Sequence, residues 1–157
     1  MKKTKWTELL IFIIGTELVG ALSSLLSGNF SSFYDELVKP PLAPLGILFS
    51  IVWAILYALM GISAYMIYVS DAETGKKAKA LTLYAVQLFV NFMWSIVFFR
   101  FEQIGAAAAV LILLIILITM MVVIFKKIRP LAGHLNIPYL LWVIFAAYLN
   151  IGFLLLN

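Results

Sequence analysis

The chain has 157 residues, of which 65% are hydrophobic and only 11% are charged, and its mean hydropathy is +1.12. Soluble domains carry about half apolar and a quarter charged residues, so this composition excludes an ordinary soluble enzyme. The net charge of +4 does not indicate nucleic-acid binding, because the basic residues lie in short segments between apolar stretches. Hydropathy predicts one all-α membrane domain over residues 1–157, a five-transmembrane-helix bundle with helices near 6–27, 47–69, 79–100, 104–126 and 134–156.

The first predicted helix combines small residues with one acidic side chain. Thr16, Gly20, Ser24 and Gly28 are spaced four apart, which predicts a ridge for close helix packing, within the bundle or across a dimer. Glu17 lies about half-way along the helix, where a charge is costly and a functional role is the default hypothesis. Two interpretations stay open: a proton site coupled to transport, or a protonated carboxyl that bonds a neighbouring helix.

The segment 28–46 is the one long connection between the predicted helices. It is rich in aromatic residues and proline, including Phe33, Tyr34, Pro41 and Pro44. Long ordered loops often serve as lids or binding elements. We therefore expect this first loop to cover one mouth of the bundle.

Three predicted helices each present aromatic and amide residues on one face, since residues three and four apart share a helix face. The stripes are Phe49, Trp53, Tyr57 and Gly61 on the second helix, Gln87, Asn91, Trp94 and Phe98 on the third, and Tyr139, Trp142, Ala146, Asn150 and Phe153 on the fifth. Amide side chains in hydrocarbon need partners, so these faces are predicted to point inward.

The stripes allow two interpretations. Taken singly, such residues favour interfacial aromatic belts and hydrogen bonds between helices. Their coincidence under a proline-rich loop favours a pocket for a flat, apolar ligand. The chain has one His, His134, no Cys and no carboxylate pair, so we expect no metal site and no required cofactor.

The basic residues predict the orientation of the bundle. One end carries nine of the 11 Lys and Arg residues, namely Lys2, Lys3, Lys5, Lys76, Lys77, Lys79, Lys126, Lys127 and Arg129, and the other end carries Lys39 and Arg100. The positive-inside rule then predicts a cytoplasmic N-terminus and, after five crossings, an outer C-terminus.

Three segments carry a family resemblance: FYDELVKPPLAPLGILFSIVWAILYALMG (33–61), QLFVNFMWSIVFF (87–99) and PYLLWVIFAAYLN (138–150). They resemble, in order and spacing, the signatures of the TspO/translocator protein family, also called tryptophan-rich sensory proteins and, in mammals, the peripheral benzodiazepine receptor. The resemblance to a bacterial member implies a five-helix protein of a bacterial cell membrane, in contact with lipid and often a homodimer.

The resemblance also implies a ligand. Family members bind porphyrins such as protoporphyrin IX and benzodiazepine-type molecules in a pocket beneath the first loop, and some are associated with light-dependent porphyrin degradation involving pocket tryptophans, here Trp53 and Trp142. Carried over by position, the implied lining is Tyr34, Pro41, Pro44, Trp53, Tyr57, Gln87, Asn91, Trp94, Phe98, Trp142, Ala146 and Asn150.

The chain departs from the family pattern in the first loop and near the C-terminus. Pro41 and Leu42 replace the usual Trp after Lys-Pro, and Leu45 replaces a second Pro, so a different lid shape is expected. The segment after Asn150 lacks the Tyr and basic residue of the mammalian sterol motif. No small-residue dimer stripe is evident around Ala85.

The leading hypothesis is a membrane receptor or sensor in which a tetrapyrrole stacks on the tryptophans of the stripes. A porphyrin photo-oxidation enzyme is a further possibility within the same pocket. The alternative from another class is a proton-coupled small-molecule transporter that uses Glu17, although the sequence contains no internal repeat of the kind that many transporters have.

Overall fold

A computed structural model describes residues 4–28 and 30–157. The described residues form the helices α1 (Trp6–Leu26), α2 (Phe30–Glu36), α3 (Gly46–Tyr68), α4 (Thr74–Ser95), α5 (Ile104–Ile128), α6 (Pro130–His134) and α7 (Ile137–Leu156). A π-helical turn, Ile96–Arg100, continues α4. Five segments are long and apolar enough to cross a membrane: Trp6–Leu26, Gly46–Tyr68, Thr74–Arg100, Ile104–Ile128 and Pro130–Leu156. The prediction of an all-α bundle with five membrane-crossing helices is confirmed.

The outer surface of the bundle is apolar over most of its length. Leu18, Ile55, Phe89 and Ile112, from four different helices, are all more than half exposed. Water-soluble monomers rarely expose contiguous apolar area on this scale, whereas lipid tails solvate it without cost. The chain is therefore an integral, multi-pass membrane protein.

Helix α1 buries its polar face and exposes its apolar one. Its described buried residues are Thr16 and Ser23, and it packs chiefly against α3. Close approach is possible because Gly61 of α3 lacks a side chain: a Cβ there would lie 2.7 Å from the Cα of Ile13. Gly20 is equally constrained, since its Cβ would lie 2.5 Å from the ring of Tyr57. At Gly20, the predicted small-residue ridge thus faces α3 within the bundle.

The apolar core of the bundle is centred on α5, which contacts α4, α6 and α7. Its side chains Leu111, Leu114, Ile118, Met121 and Phe125 are completely buried. On the other side of the bundle, aromatic residues of α3 and α4 lie toward α1, including Trp53, Tyr57 and Trp94.

The first loop contains structure that periodicity did not predict. Helix α2 has seven residues, which is too short for an amphipathic repeat to be visible. The remainder of the loop folds back on α7: the Tyr148 hydroxyl donates to the carbonyl of Pro41 (2.9 Å), and Leu42 adopts a left-handed conformation with φ 70°. Leu42, one of the residues at which a different loop shape is expected, is thus exposed and holds a backbone conformation that is strained for a residue other than glycine.

Helix α4 differs from its predicted course at both ends. It begins at Thr74, whereas hydropathy predicts a start near 79. The predicted start is late because the first turns of the helix are charged and precede the apolar stretch. At its other end the turn widens: the amide of Phe101 donates to the carbonyl of Ile96, five residues back (3.1 Å). Both Phe98 and Phe99 are buried, although neighbours on a helix normally point about 100° apart.

Candidate functional site

A cavity of about 290 Å³ lies between α1, α3 and α4, in the half of the bundle next to the first loop. One wall is aromatic and consists of Phe49, Trp53 and Tyr57 from α3, Trp94 from α4 and Phe99 from the π-helical turn. The ring of Trp53 lies 5.6 Å from that of Tyr57 and 5.9 Å from that of Trp94, with interplanar angles of 32° and 33°. The three rings form a nearly continuous surface for a flat molecule.

The opposite wall is supplied by α1 and is made of small and polar side chains. Its residues are Glu17, Gly20, Ala21, Ser23, Ser24 and Ser27. Ser27 donates to the carbonyl of Ser23 (2.6 Å), and Ser23 donates to the carbonyl of Phe92 on α4 (3.2 Å). Ala21 and Ser24 are exposed at the surface as well as lining the cavity, so the cavity opens sideways at the seam between α1 and α3.

The floor of the cavity is a hydrogen-bonded network that joins three helices. Asn91 of α4 donates to the hydroxyls of Tyr57 on α3 (3.3 Å) and Tyr139 on α7 (3.1 Å). Tyr139 in turn donates to the side-chain oxygen of Gln87 (2.8 Å). These side chains are buried, and each such bond between membrane helices contributes about 1 kcal/mol. Gln87 belongs to this network through Tyr139 but does not itself line the cavity.

One buried donor of the aromatic wall is left without an acceptor. Within the described part of the chain, the indole N–H of Trp53 has no hydrogen-bond partner, although Trp53 is only 9% exposed. The indole N–H of Trp94, in contrast, donates to the side-chain oxygen of Asn150 (3.3 Å). A buried unpaired N–H is costly, and none of the described side chains offsets that cost at Trp53.

A second, much smaller void lies directly beneath α2. It measures about 20 Å³, little more than the space for one water. It is lined by Tyr34, Phe49, Trp94, Phe98, Phe99, Ala146, Leu149, Asn150 and Phe153. Phe49, Trp94 and Phe99 line both spaces and therefore separate them.

The twelve residues expected to line one pocket are thus divided among several places. Trp53, Tyr57, Asn91 and Trp94 line the large cavity, and Tyr34, Phe98, Ala146 and Asn150, again with Trp94, line the small void. Pro41 and Pro44 line neither space and instead offer their carbonyls to Tyr148 and Tyr34.

Trp142 lies on the far side of Phe49 from the cavity. Their ring centroids are 5.7 Å apart, and Trp142 lines an outer groove between α3 and α7 with Ile55 and Leu141, which are exposed at the lipid-facing surface. Around the helix Trp142 is offset by about 60° from Tyr139 and about 40° from Ala146, so it stands at the edge of the fifth-helix stripe and reaches the groove while Tyr139 and Ala146 are buried. Trp142 thus contacts Phe49, which lines the cavity, but does not line the cavity itself.

The cavity also has lining residues that the expected set lacked, chiefly the whole wall from α1. For Gly20 and Ser24 the sequence predicts helix packing, because small residues at a spacing of four usually bring helices together. Where the residue facing them on the neighbouring helix is not at contact distance, the same small side chains leave space between the helices, and here they line the cavity. The cost of a charge in hydrocarbon makes Glu17 a candidate for a functional role, and the structure places it on the cavity wall.

The first loop is held over this end of the bundle by Tyr34. Its hydroxyl donates to the carbonyl of Pro44 (2.6 Å), and its ring stacks near that of Phe49 at 6.4 Å. Desolvation, with a smaller contribution from the charge of Asp35, raises the pKa of the Tyr34 hydroxyl above its usual range. The hydroxyl thus remains a donor at any physiological pH.

Among the described residues, no group of three or more His, Asp or Glu side chains is positioned to hold a metal ion. His134, at the end of α6, is exposed and lies in the connection to α7. The described site therefore consists of aromatic surface, amides, hydroxyls and one carboxyl.

The model of the TspO/MBR family matches residues 10–156, which include every helix that lines the site. The chain belongs to the TspO/MBR family. It is 31% identical over 147 residues to Protein CrtK of Rhodobacter capsulatus, covering 94% of this chain and 91% of that one. It is 30% identical over 152 residues to the Tryptophan-rich sensory protein of Cereibacter sphaeroides (97% and 92%) and 35% identical over 143 residues to the Translocator protein of Sus scrofa (87% and 85%).

Membership of the TspO/MBR family confirms the resemblance drawn from the three sequence segments. The match extends over bacterial and mammalian relatives at similar identity, so it concerns the bundle as a whole and not one local motif. This chain is a membrane protein of that family.

Proposed function

We propose that this TspO/MBR protein is a membrane receptor or sensor that binds a flat, apolar ligand in the cavity between α1, α3 and α4. The ligand class is a porphyrin such as protoporphyrin IX, or a benzodiazepine-type molecule. The observation that carries the proposal is the wall of three adjacent rings, Trp53, Tyr57 and Trp94, which line this cavity. The relatives named as sensory and translocator proteins support the receptor role.

The volume of the cavity suits these two ligand types to different degrees. Small-molecule pockets usually measure about 300–1,000 Å³, so a cavity of about 290 Å³ suits a drug-sized molecule and is small for a macrocycle. The void under α2 adds space on the other side of Trp94. A shift of the Trp94 ring would join the two spaces under the lid, and we expect porphyrin binding to require it.

The test fills the cavity from the α1 side. Ser24 is exposed and lines the cavity, so Ser24→Phe adds a ring to the binding space with little disturbance of packing. We expect the affinity for protoporphyrin IX, measured by the absorbance shift of the porphyrin in lipid nanodiscs, to fall by about tenfold or more.

The matched control is Leu25→Phe, which adds a similar ring on the lipid-facing side of the same helix turn, where Leu25 is 76% exposed. It should bind porphyrin as the wild type does. If Ser24→Phe also binds with unchanged affinity, the ligand does not occupy this cavity and the proposal is refuted.

The alternative of a proton-coupled transporter that uses Glu17 is not favoured by the family match. Light-dependent porphyrin degradation is a second candidate, because Trp53 stands in the wall where the macrocycle would lie. In that reaction the ligand is also the photosensitiser, and no cofactor is required of the protein.

We further propose that the protein lies in a bacterial cell membrane, in contact with lipid, with its N-terminus in the cytoplasm and its C-terminus outside, and that it forms a homodimer. The orientation rests on the basic residues described above. Accessibility labelling of single cysteines placed at Lys77 and Lys39, at opposite ends of the bundle, tests it. Cross-linking in native membranes tests the dimer.

A further inference from the structure

Glu17 is the one acidic or basic side chain among the described residues that line the cavity. It lies on α1, nearly half-way through the membrane-crossing segment Trp6–Leu26. Within residues 4–28 and 30–157 no ion pair involves Glu17; the two described pairs are Lys5–Glu8 and Lys76–Glu73, both in the solvated first turns of helices. No hydrogen bond of Glu17 is found there either. The fold places a carboxyl at the cavity and supplies no counter-charge.

The surroundings of Glu17 fit a positively charged guest. Glu17 lines the same cavity as Tyr57, the member of the three-ring wall whose hydroxyl belongs to the network at the floor. The negative faces of aromatic rings attract organic cations, and aromatic cages completed by a carboxylate are a general solution for binding quaternary or protonated amines. An unpaired carboxyl within a membrane span commonly serves as the counter-ion of a ligand.

We propose that Glu17 makes this cavity selective for flat aromatic ligands that carry a positively charged nitrogen. The ring system lies against Trp53, Tyr57 and Trp94, and the charge lies toward α1 beside Glu17. The inference rests on the proposed function, since it needs an aromatic ligand in this cavity. It adds the charge that the ligand carries at the edge next to Glu17. Carboxylate-bearing edges, such as those of protoporphyrin, are directed away from α1.

The experiment compares two probes of the same three-ring shape, 10-methylacridinium, which is a permanent cation, and 9-methylanthracene, which is uncharged. Binding is measured by probe fluorescence in nanodiscs of zwitterionic lipid, with protein-free nanodiscs subtracted. We expect the wild type to bind the cation about tenfold more tightly than the neutral probe, which corresponds to about 1.4 kcal/mol.

The variants assign this preference to one carboxyl. Glu17→Gln is nearly isosteric and should lose the preference for the cation while it keeps its affinity for 9-methylanthracene, which also reports that the cavity is intact. Glu17→Asp keeps the charge and should keep most of the preference. Glu8→Gln makes the same change in net charge on the same helix, outside the cavity, and should behave as the wild type.

Two results would overturn the inference, and they differ in what they say about the proposed function. If the wild type binds both probes equally, or if Glu17→Gln keeps the preference, Glu17 does not select for charge, while the aromatic site stands. If neither probe binds, the inference is refuted, and the effect of Ser24→Phe on protoporphyrin IX binding then decides separately whether the cavity is a ligand site.

Discussion

The side-chain amide of Asn157 pairs with the backbone of Val38 as a neighbouring strand would. Its oxygen accepts from the Val38 amide (2.9 Å) and its nitrogen donates to the Val38 carbonyl (3.1 Å). The same nitrogen donates to the carbonyl of Phe153 in α7 (3.0 Å). One amide thus ties the first loop to the end of the last helix, 119 positions away in the chain.

Asn157→Ala should therefore loosen the loop without unfolding the bundle. It removes both bonds to Val38, each worth about 1 kcal/mol at an exposed site. We expect amide hydrogen exchange in residues 37–44 to accelerate by about tenfold, while exchange in α5 is unchanged. Asn157→Asp keeps the acceptor and should give an intermediate rate. Equal exchange in all three proteins would show that this amide does not hold the loop.

The Tyr34 hydrogen bond predicts a pH dependence of stability. Because the folded-state pKa of Tyr34 is raised above its unfolded value of about 10, the bond to Pro44 contributes fully below that pH. Its contribution is lost as the pH rises through the folded-state pKa. Thermal unfolding should show the wild type about 1 kcal/mol more stable than Tyr34→Phe near neutral pH. A difference that stays constant or grows well above pH 10 would contradict this assignment.

The two candidate tryptophans for porphyrin chemistry should not be equivalent. Trp53 lines the cavity, whereas Trp142 lies behind Phe49 in the outer groove. Trp53→Phe should weaken protoporphyrin IX binding by about threefold to tenfold, the usual range for losing one aromatic contact, and slow any light-dependent bleaching. Trp142→Phe should change the affinity little. The reverse order would place the macrocycle on the α7 side.

The contact between α1 and α3 should be sensitive to a single methyl group. In Gly61→Ala the new Cβ would lie 2.7 Å from the Cα of Ile13 and 2.8 Å from the carbonyl oxygen of Phe12, and backbone cannot yield as a side chain can. We expect a loss of about 1–3 kcal/mol in thermal unfolding in detergent. Gly15→Ala in α1 is the control, because outside the adjacent backbone of its own helix no atom lies within 4 Å of its Cβ position. It should be neutral or slightly stabilising.

The membrane-crossing helices are visible in the sequence because each is a long apolar stretch between charged or turn-forming residues. The inward position of Asn91 also follows from the sequence, since a buried amide in hydrocarbon must find a partner on another helix. Trp94 is three residues further along the same helix face and points inward with it. Both are indeed bonded to other helices, Asn91 to Tyr57 and Tyr139, and Trp94 to Asn150.

The division of the expected pocket into separate spaces could not be read from the sequence. Periodicity places Trp142 and Ala146 on one face of α7, but it does not show that Phe49 stands between Trp142 and the cavity. Small residues are similarly ambiguous: Gly20 and Ser24 fit a packed ridge and a cavity wall equally well. Their role depends on how far α1 stands from α4, and only the three-dimensional packing determines that distance.

The widened turn at 96–100 determines which space each of two adjacent phenylalanines reaches. Phe98 lines only the void under α2, whereas Phe99 also faces the large cavity. The extra residue in this turn rotates the residues that follow it by about 100° around the helix axis, relative to a regular α-helix. Arg100 is one of the residues affected, and its guanidinium donates to the carbonyl of Leu26 at the end of α1 (3.2 Å). Deleting a single residue between Ser95 and Phe101 would therefore remove the bond from Arg100 to α1 and move one of the two phenylalanine rings away from the two spaces, so the number of residues here matters as much as their identity.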